Sequence, residues 1–469
     1  MPDPEGDGAR DDAYGGASSL FDPLFVNDRV AAATGPRAWV DALLAFEREL
    51  AAAEADLGIL SAGAAAAVAD ACRRFAVAPS VLGTRGRATG NPVVPLVSAL
   101  RSLAGDHASA VHHGATSQDA MDTAAMLVAA QVCKIVLDDL DGAACVCAEL
   151  VHQYRHVVMV GRTLLQPAVP ITFGLKAAQW LTALTDAAVN LGRVKDTRLA
   201  VELGGAAGTL SAWGDDGLTL CARVAERLGL VQPALPWHTD RSRMTELAGA
   251  LVVAAAAAAK VALDVVLLSQ AEVGEVHESA APAHGGSSTL PHKSNPVTSV
   301  LVLAAWRRAQ GASSTLSACA VQDHERAATG GWHAEWQSLN DLLAAAAGCA
   351  FGVRELLGSL RVDEARLAGN LAATRGLVMA ERVALDLAAD LGRETASEIV
   401  ARAARTAAAS GRPLRDALGD LPEVAAQRGA AELDVLFEPS GYLGATDALV
   451  DRALSAHAAR LGAPREGAS

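Results

Sequence analysis

At 469 residues and a formal net charge of −14, the chain can bury a large core and divide into two or three domains. The acidic balance argues against nucleic acid or anionic membrane as a partner, and it would repel a polycarboxylate unless a local group of Arg and Lys received it. Apolar residues make up 51 % and aromatics only 4 %. Much of the apolar share is alanine, which suits close-packed helices because Ala has the highest helix propensity and lets axes approach.

Residues 1 to about 18 are rich in Gly, Asp and Ser, and disorder is expected there. Short helical segments follow from Leu20 to Asp106. The clearest is Ala38 to Ala55, where Trp39, Leu43, Leu44, Phe46 and Leu50 recur near helical spacing. Gly83 to Pro95 reads as a breaker-rich loop. Long proline-free segments dominate the middle of the chain: Ala120 to Val160, Gly174 to Leu203, Ser242 to His277, a fourth from Pro296 to Arg308 or beyond, and Ala334 to Leu360. Ser242 to His277 is apolar nearly all round, the mark of a helix buried on every side. A bundle completed by several chains accommodates such helices better than a monomer does.

After Gly358 the pattern changes to shorter, charged helices with turns at Gly392, at Gly411-Arg412-Pro413 and at Pro439-Ser440-Gly441. No run of alternating β-branched residues supports a major sheet. The class expected is all-α. The seven cysteines are scattered through apolar helical contexts, without metal-ligand spacing, and are expected to be small buried hydrophobes in a reducing cytoplasm. The least polar run, Leu247 to Ala259, is 13 residues and too short to span a bilayer. A soluble, cytoplasmic protein is expected.

Three polar islands interrupt the helices. Val111-His112-His113-Gly114-Ala115-Thr116-Ser117-Gln118-Asp119 precedes the first long segment. Thr116 or Ser117 can cap that helix with Asp119 in its first turn, and the same helix start can hold an anion. The two readings are compatible. Gly161 to Pro170 breaks the next pair of helices. Gly285-Gly286-Ser287-Ser288-Thr289-Leu290-Pro291-His292-Lys293-Ser294-Asn295-Pro296 packs hydroxyls, an imidazole, an ammonium and a carboxamide between glycines and prolines. So many polar groups cannot form a core, because each would need a partner once buried. Such a stretch is either a solvated turn or a lid over an anionic substrate. His324-Glu325-Arg326 and Gly331-Trp332-His333-Ala334-Glu335-Trp336 add further basic and aromatic groups, as does the stretch Pro236 to Arg243.

The glycine-flanked stretch resembles the signature loop of the fumarase/aspartase superfamily of lyases, Gly-Ser-Ser-x-Met-Pro-x-Lys-x-Asn-Pro, with Leu290 in place of Met. The first island is similar to that superfamily's first block. The second is similar to its Arg-Thr-His-x-Gln block, with Leu164 at the histidine position. From about residue 20 to at least 360 the chain looks closest to the bacterial 3-carboxy-cis,cis-muconate cycloisomerase family. The nitrosuccinate lyase branch is also similar, and adenylosuccinate lyase shares the Pro-His-Lys form of the loop.

The resemblance implies three serial parts after the tail, at 19–111, 112–361 and 362–469, the central one a long-helix bundle completed as a homotetramer with active sites shared between subunits. It implies no metal or organic cofactor and a small polycarboxylate substrate. Ser287 is implied as the catalytic base. His112, Thr116, Ser117, Gln118, Thr163, Gln166, Ser288, Lys293, Asn295 and Arg326 are implied substrate contacts.

Leu164 removes the group that protonates a leaving amine or hydroxide. The chemistry therefore points to a leaving group stable as an anion, such as a carboxylate or nitrite. The chain departs from the cycloisomerase pattern at His113 (for Trp), Ser294 (for Arg), Asp240 (for Gln) and Ser242 (for Asp). A catalytically inactive scaffold on the same fold is the non-enzymatic alternative, but it would be expected to have lost Ser287, Lys293 or Asn295, all of which stand.

Overall fold

The structure is a computed structural model that describes residues 20–278, 294–326 and 329–462. The expected disorder of residues 1 to 18 lies outside the described residues, as do Ser287, Ser288 and Lys293. The architecture is all-α. The elements that position the polar islands are α1 (Pro36–Asp56), α2 (Ser117–Gln153), β1 (Val158–Thr163), β2 (Gln166–Thr172), α3 (Phe173–Arg198), α4 (Ser242–Leu268), β3 (Val276–Glu278), α5 (Val297–Ala318), α6 (Gly331–Ser359), β4 (Leu360–Val362), α7 (Ala380–Leu391) and α8 (Arg393–Ser410). The strands make two antiparallel pairs, β1 with β2 and β3 with β4, and no larger sheet forms among the described residues.

Element ends follow the breakers. Pro36 opens α1 at its first position, where its missing N–H costs nothing. Gly392, with φ 78°, separates α7 from α8, and Gly411, with φ 70°, ends α8.

Several expected boundaries move. The segment Ala120 to Val160 ends as helix at Gln153 and continues as β1. Ser242 to His277 ends at Leu268 and reaches β3 after Gly274, whose φ of 61° only glycine adopts readily. The expected loop Gly83 to Pro95 narrows to residues 87–92, between the helices Pro79–Gly86 and Val93–Ala104.

By contacts the chain forms two compact units, each interleaving distant segments. Unit one comprises Met1–Asp141, Ala187–Ala259 and Leu301–Val353; unit two comprises Gly142–Asp186, Lys260–Val300 and Arg354–Ser469. In unit one the core takes Leu43, Phe46 and Leu50 from α1, Ala120, Ala124, Val128 and Val132 from α2, Leu247, Leu251 and Ala255 from α4, and Leu339, Leu342 and Ala346 from α6. In unit two, Tyr154, Phe173 and Trp180 stack edge to face, with Trp180 Nε1 donating to Asp264 at 2.7 Å. A second cluster there packs Val383 and Leu387 of α7 on Ile399, Val400 and Ala403 of α8, with Leu414, Leu418 and Leu433.

Within the single chain helix α4 leaves Val253 and Leu263 47 % and 45 % exposed, so burial on every side would need further chains. Two expectations need correction. The length argument against membrane spanning fails. Among the described residues three helices (α2, α4 and α6) are, by length and composition, long and apolar enough to cross a bilayer, and Lys260 does not interrupt α4. Finally, six of the seven cysteines are buried, and Cys145 is exposed. Burial pushes the thiols of Cys72, Cys133, Cys147, Cys221 and Cys349 up to about 12, so these five stay protonated and unreactive at neutral pH.

Candidate active site

In unit one the first island is a turn gripped from two sides. His112 has φ 57°, a left-handed conformation that a bulky residue rarely adopts. Two glutamates of α1, seven residues apart and hence on one helix face, take the two consecutive rings. His112 Nδ1 lies 2.6 Å from Glu47 Oε1, and His113 Nδ1 lies 2.7 Å from Glu54 Oε1. Trp213 Nε1 donates to the same Glu54 oxygen at 2.7 Å. A Cβ on the next residue, Gly114, would meet the Trp213 ring at 2.7 Å, so only glycine fits.

Both glutamates are fully buried. Burial pushes the Glu54 carboxyl up, and its bonds from His113 and Trp213 partly offset this. Burial pushes the His112 imidazole down, but the adjacent Glu47 carboxylate outweighs it and leaves the ring above its ordinary value. Sequence reading missed Glu47 and Glu54. Their signal was two acids on the apolar face of an amphipathic helix.

The turn ends at α2. Thr116 precedes the first residue of that helix, and the Thr116 N–H donates to Asp119 Oδ2 at 2.9 Å, the acidic half of a capping box. The Thr116 hydroxyl accepts from Arg326 Nη1 at 2.5 Å. Thr116 and Arg326, 210 residues apart in sequence, are thus brought together. Ser117 is half-buried beside them. Gln118 is buried. Its amide donates to Asp122 Oδ2 at 3.1 Å and to the His238 carbonyl at 2.7 Å, so it braces the turn from inside.

Arg241, among the basic groups of the stretch Pro236 to Arg243, is 1 % exposed and bonded to Asp122 and Glu335. Trp332 packs edge-on against His333 and Trp336 and also donates to Asp122 at 2.9 Å. Glu335 is pushed up to about 7, chiefly by burial; Arg241 pulls it back and Asp122 pushes it further up.

In unit two the second island is the β1–β2 hairpin. Thr163 pairs with Gln166 across the two-residue turn Leu164-Leu165, and all four residues are exposed. Both leucines have positive φ, 49° and 63°, the geometry of a type I′ turn that Asn-Gly ordinarily fills. They are 97 % and 70 % exposed. Below the tip, Arg162 makes a bidentate pair with buried Glu275 at 2.8 and 2.6 Å, and Asn370 also donates to Glu275.

The third island is described only from Ser294 onward. Glu278 accepts from the N–H groups of Thr298 and Ser299 and from the Ser299 hydroxyl. It therefore caps α5 from outside and ties together the two ends of the segment that carries Ser287 and Lys293. Asn295 is half-buried just before α5. The site residues sort by unit: His112, Thr116, Ser117, Gln118 and Arg326 lie in unit one, and Thr163, Gln166 and Asn295 in unit two.

Among the described residues one cluster offers metal-ligand atoms within reach of one another, Asp119, Glu202 and His238, all buried. Its donor pattern is treated below.

Comparison with known proteins agrees with this architecture. A lyase family model matches residues 27–311, and the model of the adenylosuccinate lyase C-terminus matches residues 376–453. The chain is 42 % identical over 445 residues to a 3-carboxy-cis,cis-muconate cycloisomerase of Pseudomonas aeruginosa, covering 94 % of this chain and 97 % of that one. It is 40 % identical over 449 residues to a nitrosuccinate lyase of Streptomyces davaonensis, covering 93 % and 94 %. The crystal structure of a 3-carboxy-cis,cis-muconate lactonizing enzyme from Pseudomonas putida superposes with a TM-score of 0.87 at 37 % identity, over 94 % of this chain and all of that one. The helical fold, the capped first block and these full-length matches together make the chain a member of the fumarase/aspartase superfamily of lyases and cycloisomerases.

Proposed function

We propose that the chain interconverts 3-carboxy-cis,cis-muconate and its carboxymuconolactone in aromatic catabolism, as a cytoplasmic homotetramer whose three serial domains bring active-site residues from different subunits together. The observation that carries the reading is Leu164 at the exposed tip of the second block, in a chain otherwise similar over its length to cycloisomerases. In the lactone-opening direction, Ser287 takes the proton from the carbon beside a carboxylate. The ring C–O bond then breaks and the departing oxygen leaves as a carboxylate, which needs no acid.

In the closing direction the same carboxylate attacks and Ser287 returns the proton. Lys293, Asn295 and Ser288 stabilise the charge that develops on the substrate. Thr116 and Ser117 at the α2 start receive a substrate carboxylate, with His112 and Arg326 beside them. Thr163 and Gln166 orient the other end, and Gln118 supports the turn.

A second reading is favoured by the Streptomyces relative and by Ser294 in place of the loop arginine. It is nitrosuccinate elimination in secondary metabolism: the same proton is removed, the C–N bond breaks, nitrite leaves and fumarate remains. Parallel ultraviolet assays of carboxymuconate, nitrosuccinate and adenylosuccinate decide between them. Ser287→Ala should lower turnover of the accepted substrate by about 10³-fold with the oligomer intact, and near-normal turnover would remove Ser287 from its role.

A further inference from the structure

The cluster of Asp119, His238 and Glu202 in unit one is sealed from solvent and is not needed for any proton step above. Asp119 Oδ1 accepts from Gly204 N at 3.0 Å and lies 2.7 Å from His238 Nε2; Oδ2 accepts from Thr116 N at 2.9 Å and Gly205 N at 3.0 Å. Two oxygens with four partners have no lone pair to spare. Glu202 Oε2 accepts from Trp237 N at 2.7 Å. Its Oε1 is buried with no hydrogen-bond partner and points at His238 Nε2 from 3.3 Å.

Three ligand atoms this close suggest a cation. A cation, however, would have to take His238 Nε2 from Asp119 and stand in the imidazole's place on a carboxylate whose other three partners are backbone N–H groups. A proton meets the same need for positive charge without displacing anything.

We propose that His238 and Glu202 are positioning residues: Glu202 holds the imidazole, the imidazole orients Asp119, and Asp119 fixes the Thr116 amide and the two glycine amides that shape the first-block turn. The chain then has a physical reason for two stretches that the chemistry leaves unused. Gly204-Gly205 must be glycine, because a Cβ on Gly204 would stand 2.9 Å from the His238 ring and 2.8 Å from Pro236, and Gly205 has φ 72°. Trp237-His238 supplies the ring, and Trp237 is anchored by Nε1 to the Val201 carbonyl at 2.9 Å.

Burial, followed by repulsion from Asp119 and Asp122, pushes Glu202 well above the usual carboxylate range; the Trp237 N–H and Arg241 oppose this. Glu202 and His238 together face Asp119, with Asp122 and Arg241 further off. With its N–H held by Asp119, Thr116 presents its hydroxyl to Arg326.

The inference rests on the proposed role of Thr116 in substrate binding, so its test has one arm that needs no substrate. Hydrogen–deuterium exchange of the intact protein reads the amides of residues 112–118 and 203–206 directly. His238→Leu, and His238→Asn, whose shorter amide cannot reach Asp119, should raise exchange in both stretches by about 10-fold. His238→Gln places an N–H where Nε2 stood and should restore most of the protection.

In the second arm, KM for the accepted polycarboxylate should rise by about 10-fold in His238→Asn with a smaller change in kcat, and His238→Gln should recover it. Unchanged exchange in His238→Asn overturns the proposal whether or not a substrate has been found. So does a raised KM with unchanged exchange, or a stoichiometric metal ion in the purified protein that is lost in Glu202→Gln. A normal exchange pattern with no turnover of any tested acid would instead count against the functional reading.

Discussion

The first-block turn and the β1–β2 tip, to which the proposed reaction assigns substrate contacts, are built in opposite ways. The turn at 112–117 is held by Glu47 and Glu54 on α1 and by Trp213, all buried and distant in sequence, by buried Asp119 in the next helical turn, and by half-buried Arg326. Its one left-handed bulky residue, His112, is fixed by an ion pair. The tip at 163–166 puts two leucines into the left-handed region and leaves them open to solvent. Strain at the turn is over-determined by its own unit. At the tip nothing described in the chain offsets it. The difference teaches that the turn is pre-organised within the folded chain, while the geometry of the tip persists at a cost, as expected of an element that meets another surface.

The largest test breaks the rigid side. Arg241 neutralises Asp122 and Glu335 in the interior of unit one, and Arg241→Leu would leave two carboxylates buried without their cation. Losing one partner of a buried pair costs about 3–5 kcal/mol. Chemical denaturation should show a loss of that order, with the first-block turn losing protection because Asp122 also holds Gln118. Loss of less than about 1 kcal/mol would mean that the turn does not depend on this ion cluster.

A middle-sized effect should come from relaxing the tip. Left-handed backbone costs a non-glycine residue about 1–2 kcal/mol. Replacing Leu164 and Leu165 by Asn and Gly, residues a type I′ turn accepts, should therefore stabilise the chain by about 1–2 kcal/mol against denaturant and lower turnover of the accepted substrate. Stabilisation with undiminished turnover would show the leucines to be idle.

Much of this architecture was legible in the sequence. Alanine-rich stretches without proline marked the long helices, and the three polar islands stood out because they break the helical pattern. The hairpin was not legible as one. Thr163-Leu164-Leu165-Gln166 lacks the Asn-Gly signal that announces a two-residue turn, and the structure puts leucines there against local preference. The buried acids were hidden for another reason. Glu47, Glu54 and Glu202 look like ordinary surface charges until the fold shows His112, His113 and His238 opposite them, between 36 and 65 residues away in sequence. The same distance hides the two acids of Arg241, so the sequence leaves open whether it is an ion-pair partner or a pocket cation, and the fold shows the ion pairs buried.

The smallest predicted effect sharpens the contrast through pH. Glu335 is raised from 4.5 to about 7 in the folded chain, mainly by burial. An acid that holds its proton more tightly when folded adds stability that is full below 4.5 and lost as pH rises through about 7. The denaturation midpoint should therefore fall across that window and level off above it, and Glu335→Gln, which keeps a hydrogen-bonding oxygen beside Arg241, should flatten the profile. The effect belongs to unit one alone, since the groups facing Glu335 are Arg241, Asp122 and Gln322, all within it. A tip variant should shift the whole curve without changing its shape. If Glu335→Gln and the tip variant altered the pH profile in the same way, the turn and the tip would not be held by separate physics after all.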